Sequence, residues 1–188
     1  MDQRSRTTAG VRAGIDKDNA EGAVVPLIHL STTYAFHGLR DPRDFEYSRS
    51  GNPTRAVLAG ALAELDGGAG AVVTSSGMGA ITVCLHALVP PGATVLAPHD
   101  AYGGTWRLLD ALARRGLFRL VLTDLAAPDA ADVVRATAPA LVWVETPSNP
   151  LLAITDLAAV SAAAHAVGAR VVADNTFCSP ALQRPLAL

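Results

Sequence analysis

The sequence predicts an α/β protein with a mostly parallel sheet and helices on both of its faces. Three observations lead there. From about residue 70 onward, short apolar and β-branched runs alternate with alanine-rich helical stretches, the order that βαβ units require. Gly or Pro stands near the end of each helical stretch, where helices terminate. Polar groups collect just after the strands, and in open α/β sheets ligands bind beyond the carboxyl ends of the strands.

Residues 1–60 read as an extended arm that runs into a first helix. Three prolines, scattered glycines and polar stretches such as Asp16 to Glu21 leave little periodicity before Thr54. Val57, Leu58, Leu62 and Leu65 then form an apolar stripe over Arg55 to Leu65, entered through Asn52-Pro53-Thr54, and proline suits a first helical turn. Residues 61–188 read as the sheet-bearing domain. Strands are expected at Ala71 to Thr74, Thr94 to Ala97, Arg119 to Thr123, Leu141 to Glu145 and Arg170 to Asp174. Between them, helices are expected at Gly79 to Leu88, Thr105 to Arg115, Ala130 to Ala138 and Leu157 to Val167, stacked on the sheet by right-handed crossovers.

Composition narrows the function. With 188 residues, 50% hydrophobic and 17% charged, the chain is long enough for one domain with a sizeable core. A net charge of -2 and the lack of any Lys/Arg run of the nucleic-acid kind leave no large positive field for a phosphate backbone. No apolar run reaches the roughly 20 residues that cross a bilayer. Met1 to Arg12 is polar and arginine-bearing, without the apolar core of a secretory signal, so a cytoplasmic location is expected. Cys84 and Cys178 are too few for a disulfide framework or a zinc site, and His37, His86 and His165 lack ligand spacing; no metal is expected. Lys17 is the sole lysine, against 14 arginines.

The strand ends deliver Thr74-Ser75-Ser76-Gly77-Met78-Gly79, Pro98-His99-Asp100-Ala101-Tyr102-Gly103-Gly104, Glu145-Thr146-Pro147-Ser148-Asn149-Pro150 and Asp174-Asn175-Thr176. The first of these feeds a helix, so its backbone N–H groups would meet an anion at the positive end of the helix dipole. A small-residue turn chosen only for tight packing explains it equally well. Thr82 stands where a dinucleotide fingerprint needs its third glycine, and no Gly-Lys-Ser/Thr exists, so nicotinamide-dinucleotide and P-loop readings are weak. Asp174 closes an apolar strand, a costly place for a carboxylate without a cationic or hydrogen-bonding partner, although capping of the next turn would also account for it. Tyr102 beside Gly103-Gly104 offers a flat ring for stacking, or simply for packing.

Taken in order, these pieces resemble the cysteine/methionine-metabolism family of pyridoxal-phosphate (PLP) enzymes, fold type I, aspartate-aminotransferase-like. The further motifs that carry the resemblance are Val25 to Tyr34, Tyr47-Ser48-Arg49-Ser50-Gly51-Asn52-Pro53-Thr54-Arg55 and Asp174-Asn175-Thr176-Phe177. The resemblance implies pyridoxal 5'-phosphate as cofactor. It implies that Tyr47 and Arg49 reach into a neighbouring subunit's site and bind the cofactor phosphate, and that Gly77 and Met78 give backbone N–H groups to a phosphate. Tyr102 would stack on the pyridine ring and could serve as a proton acceptor, Asp174 would keep the ring nitrogen protonated, and Asn149 and Thr176 would line the ring and substrate side.

Within the family, His29 to Tyr34, Pro42-Arg43 and Pro98 to Gly104 look most like the bacterial cystathionine γ-synthase branch. That branch joins an activated homoserine ester, usually O-succinylhomoserine, to cysteine, and the implied assembly is a homotetramer with shared sites acting on small amino-acid substrates. Lyases and sulfhydrylases of the family are the alternative. The family's Schiff-base lysine and C-terminal domain are expected beyond Leu188, leaving an incomplete large domain that is inactive alone or serves as a non-catalytic partner. Lys17 matches no family position.

Overall fold

The computed structural model describes residues 5–15 and 22–188; Lys17 and the stretch Asp16 to Glu21 lie outside them. The chain forms two compact units, Met1–Val73 and Thr74–Leu188.

In the first unit, helix α1 (Arg6–Val11) packs against α2 (Pro53–Asp66). Asn52 caps α2, its Oδ1 accepting from the Thr54 and Arg55 N–H groups at 2.9 and 3.3 Å, with Pro53 in the first turn as its fixed φ favours. Gly67 at φ +73° turns the chain out of the helix. Gly14, also at positive φ, comes so close to α2 that a Cβ would lie 2.3 Å from Val57 Cγ1, a distance no side chain tolerates. Helix α1 was not anticipated, because Arg-Thr-Thr-Ala-Gly-Val presents no apolar stripe to detect. The intervening arm folds back on itself: Ser48 N–H donates to the Thr32 carbonyl at 2.8 Å and Tyr34 N–H to the Glu46 carbonyl at 3.0 Å.

The second unit runs α3 (Gly77–Leu88), β1 (Thr94–Pro98), α4 (Gly103–Arg114), β2 (Arg119–Thr123), α5 (Ala130–Thr137), β3 (Leu141–Glu145), α6 (Leu157–Ala166), β4 (Arg170–Asp174) and α7 (Ser179–Leu182), then a short 3-10 turn at Pro185–Ala187. The four strands form a parallel sheet in the order β2-β1-β3-β4. Alternation along the strands divides the core. Leu96, Val142 and Val144 bury against α5 and α6 through Val134, Leu157 and Val160. Val95, Ala97, Leu141 and Trp143 bury on the other face against α3 and α4 through Ile81, Leu85, Leu109 and Leu112.

Four of the five expected strands and the four helices between them are present to within two residues at either end. Ala71 to Thr74 is the exception: it is not a strand. Its residues have β-like chemistry, but a strand is made by a ladder partner, and among the described residues none pairs with it; Val72 is 80% exposed. The polar turn after it nevertheless enters α3 as expected.

Strand order positions the site. From β1 the chain moves outward through α4 to β2, and from β3 it moves the opposite way through α6 to β4. Those two helices lie on opposite faces, so the loops leaving β1 and β3 part and open a crevice between their tips.

Candidate active site

A cavity of about 410 Å³ occupies the carboxyl ends of the strands in the second unit, and Gly77, Met78, Tyr102, Asn149, Asp174 and Thr176 all line it. The volume falls in the range of small-molecule sites. Four separate segments deliver them: the start of α3 and the ends of β1, β3 and β4. At the start of α3, Ser76 Oγ accepts from Gly79 N–H at 3.1 Å and the Ser76 carbonyl takes Ala80 N–H. That leaves the N–H groups of Gly77 and Met78 without a partner among the described residues, as the first turn of a helix must.

Tyr102 precedes α4, and its ring lies over Gly104: a Cβ on Gly104 would stand 2.6 Å from Tyr102 Cε1 and 2.8 Å from Met78 Sδ. Glycine there keeps the ring beside the start of α3. Asp174, at the tip of β4, accepts from Thr176 N–H at 3.2 Å and from Thr176 Oγ1 at 2.5 Å, both on Oδ1. Its Oδ2 keeps no partner among the described residues, so the carboxylate has one oxygen held and one free.

Glu145 also lines the cavity, pairs in register with Asp174, and is only 5% exposed. It accepts Tyr102 N–H on Oε2 at 2.7 Å and Asn149 N–H on Oε1 at 3.1 Å. Burial pushes its pKa above the ordinary carboxylate value, the two N–H donors pull it back, and the nearby charges of Asp174 and Asp100 push it up again. The sequence reading passed over Glu145, although the rule that singled out Asp174, an acid closing an apolar strand, applies to it equally. Ser76, Ile81, Pro147 and Phe177 are also in the lining; Ser76, Pro147 and Phe177 belong to the motifs quoted above, and Ile81 carries no chemical signal.

Tyr47 and Arg49 lie in the first unit. Arg49 Nη2 donates to Tyr47 Oη at 2.9 Å, and the guanidinium sits 5.3 Å from the Tyr47 ring centroid. The two side chains therefore present one joined surface, a cation beside a phenol.

A family model, Cys/Met metabolism PLP-dependent enzyme, matches residues 7–188. The chain belongs to this family. Among relatives, cystathionine gamma-synthase of Escherichia coli (strain K12) is 52% identical over 185 residues, covering 98% of this chain and 48% of that protein. Cystathionine beta-lyase of Lactococcus lactis subsp. cremoris is 39% identical over 181 residues, covering 96% and 47%. Among solved structures, cystathionine gamma synthase from Xanthomonas oryzae pv. oryzae, in complex with cystathionine, superposes with a TM-score of 0.94 at 56% identity, covering 98% of this chain and 48% of that one. The chain thus spans about half the length of the curated relatives it matches.

The family's cofactor is pyridoxal phosphate, and the cavity suits it. The free N–H groups of Gly77 and Met78 suit a phosphate, the Tyr102 ring suits a planar heterocycle, and the free Asp174 Oδ2 suits a protonated ring nitrogen. No helix among the described residues is long and apolar enough to cross a membrane, and among the same residues no group of three or more metal-ligating side chains converges.

Proposed function

We propose that the protein carrying this chain is a cytoplasmic PLP enzyme that replaces the γ-substituent of O-succinylhomoserine with cysteine to give cystathionine. One observation carries the assignment of the site: Gly77-Met78 and the unpaired oxygen of Asp174 line a single cavity. The identity to the E. coli synthase supports the choice of reaction.

In this reading Gly77 and Met78 hold the cofactor phosphate through their N–H groups, joined by Tyr47 and Arg49 from a neighbouring subunit of a homotetramer with shared sites. Tyr102 stacks on the ring, Asp174 Oδ2 holds the proton on the ring nitrogen, and Asn149 and Thr176 line the ring and substrate side. When bound, the cofactor supplies an electron sink for the substrate's α-carbon. In the net replacement, succinate leaves with the electrons of the Cγ–O bond and the cysteine sulfur bonds to Cγ. Tyr102, in the cavity lining, is placed to accept a proton from the incoming amine or thiol when its hydroxyl is ionised, a form that a neighbouring positive charge favours.

The test supplies the protein with pyridoxal phosphate, O-succinylhomoserine and cysteine. Cystathionine and succinate in equal amounts are expected. Succinate accompanied by a 2-oxo acid and ammonia in place of cystathionine would assign the site to elimination, the activity of the family's lyases.

A further inference from the structure

Glu145 is a buried carboxylate whose two oxygens meet both loops flanking the crevice. Each of its oxygens accepts a different backbone N–H: Tyr102 on one side at 2.7 Å, Asn149 on the other at 3.1 Å. The same two loops are tied again where Ser148 Oγ donates to Asp100 Oδ2 at 2.5 Å. We propose that Glu145 is a positioning residue for the cofactor: through one carboxyl group it fixes the height of the Tyr102 ring above the crevice and the reach of Asn149 into it. The inference rests on the PLP reading of the cavity.

The chemistry explains why an acid stands there. Both donors are main-chain N–H groups, so the group between them must accept on two atoms at once, as a carboxylate does. An amide of the same shape accepts on one atom and turns an NH₂ group toward the other N–H, leaving a donor facing a donor. Tyr102 N–H has no other partner among the described residues and no side chain caps α4 there, so with the Tyr102 carbonyl held by Trp106 N–H at 2.9 Å, the Glu145 bond fixes the other end of the backbone unit that carries the ring. An acid at this depth, beside Asp174 and Asp100, is costly unless its bonds do something that a neutral residue cannot.

The experiment compares Glu145→Gln with the unmodified protein, using pyridoxal phosphate as probe. The readouts are the dissociation constant and the visible circular dichroism per bound cofactor. E145Q is expected to weaken binding about tenfold, the loss of one charge-assisted hydrogen bond, and to reduce the dichroism. In a Tyr102→Leu background, where no ring remains to be held, the same change is expected to cost less than about threefold. An equal loss in both backgrounds makes Glu145 merely structural and overturns the inference, as does unchanged binding and dichroism. If E145Q does not fold, Glu145→Asp, which keeps both acceptors on a shorter stem, carries the same cycle. Failure of the unmodified protein to bind pyridoxal phosphate at all defeats the proposed function and this inference with it; binding that E145Q leaves untouched defeats this inference alone.

Discussion

At the tips of β3 and β4, two carboxylates stand side by side in register with different duties. Asp174 has one oxygen held by Thr176 and one free, the arrangement of a group that awaits a cation. Asp174→Asn is therefore expected to weaken pyridoxal phosphate binding by about tenfold or more, measured by equilibrium dialysis; unchanged affinity would remove Asp174 from the site. Glu145 has both oxygens held, and burial raises its pKa. The folded state then binds its proton more tightly than the unfolded state. Its contribution to stability is full below the ordinary carboxylate pKa and is lost as pH rises through the raised value. Urea unfolding over that range should show Glu145→Gln losing less stability on the way up than the unmodified chain, and parallel curves would contradict this. Asp174 was legible in the sequence because it follows the apolar run Val171-Val172-Ala173. Glu145 obeys the same logic, but its role lies in backbone donors from Tyr102 and Asn149, and a bond to main chain from a distant loop leaves no trace in a residue pattern.

Whole segments were legible where their period matched their environment. Leu141 to Glu145 and Arg170 to Asp174 are β3 and β4 to the residue: β3, buried throughout, reads as a nearly unbroken apolar run, and β4 is marked by its β-branched Val171-Val172 pair. Ala71 to Thr74 has comparable chemistry and no ladder among the described residues, a fact about neighbours that its own residues do not encode. The arm illustrates a different economy. Asn52 caps α2 with its oxygen, while its Nδ2 donates to Ser48 Oγ at 3.0 Å and to the His29 carbonyl and Tyr34 Oη at 3.2 Å. Asn52→Ala should lose cap and clamp together, the cap alone contributing about 1 kcal/mol. Asn52→Asp retains the acceptor and surrenders the donors, so α2 should persist by circular dichroism while the Ser48 amide, bonded to Thr32, exchanges faster with deuterium. Equal protection at Ser48 in all three proteins would refute the clamp.

For the molecule as a whole, the alternation of strand and helix was sufficient for the α/β class, whereas the order β2-β1-β3-β4 was not readable, because crossovers of similar length lead to either side of a strand. That order leaves β4 with a single neighbour among the described residues, and Leu182 and Leu186 beyond it are 82% and 69% exposed. Unpaired edges invite strand addition. The 188-residue chain made alone is accordingly expected to associate, and a monodisperse monomer in light scattering would contradict this. The crevice between β1 and β3 has a further consequence. It arises from the path of the chain, so exchanging residues at the loop tips alters what happens in the hollow without abolishing the hollow itself. Relatives named for synthesis and for breakdown do share this framework, at TM-scores of 0.94 and 0.89.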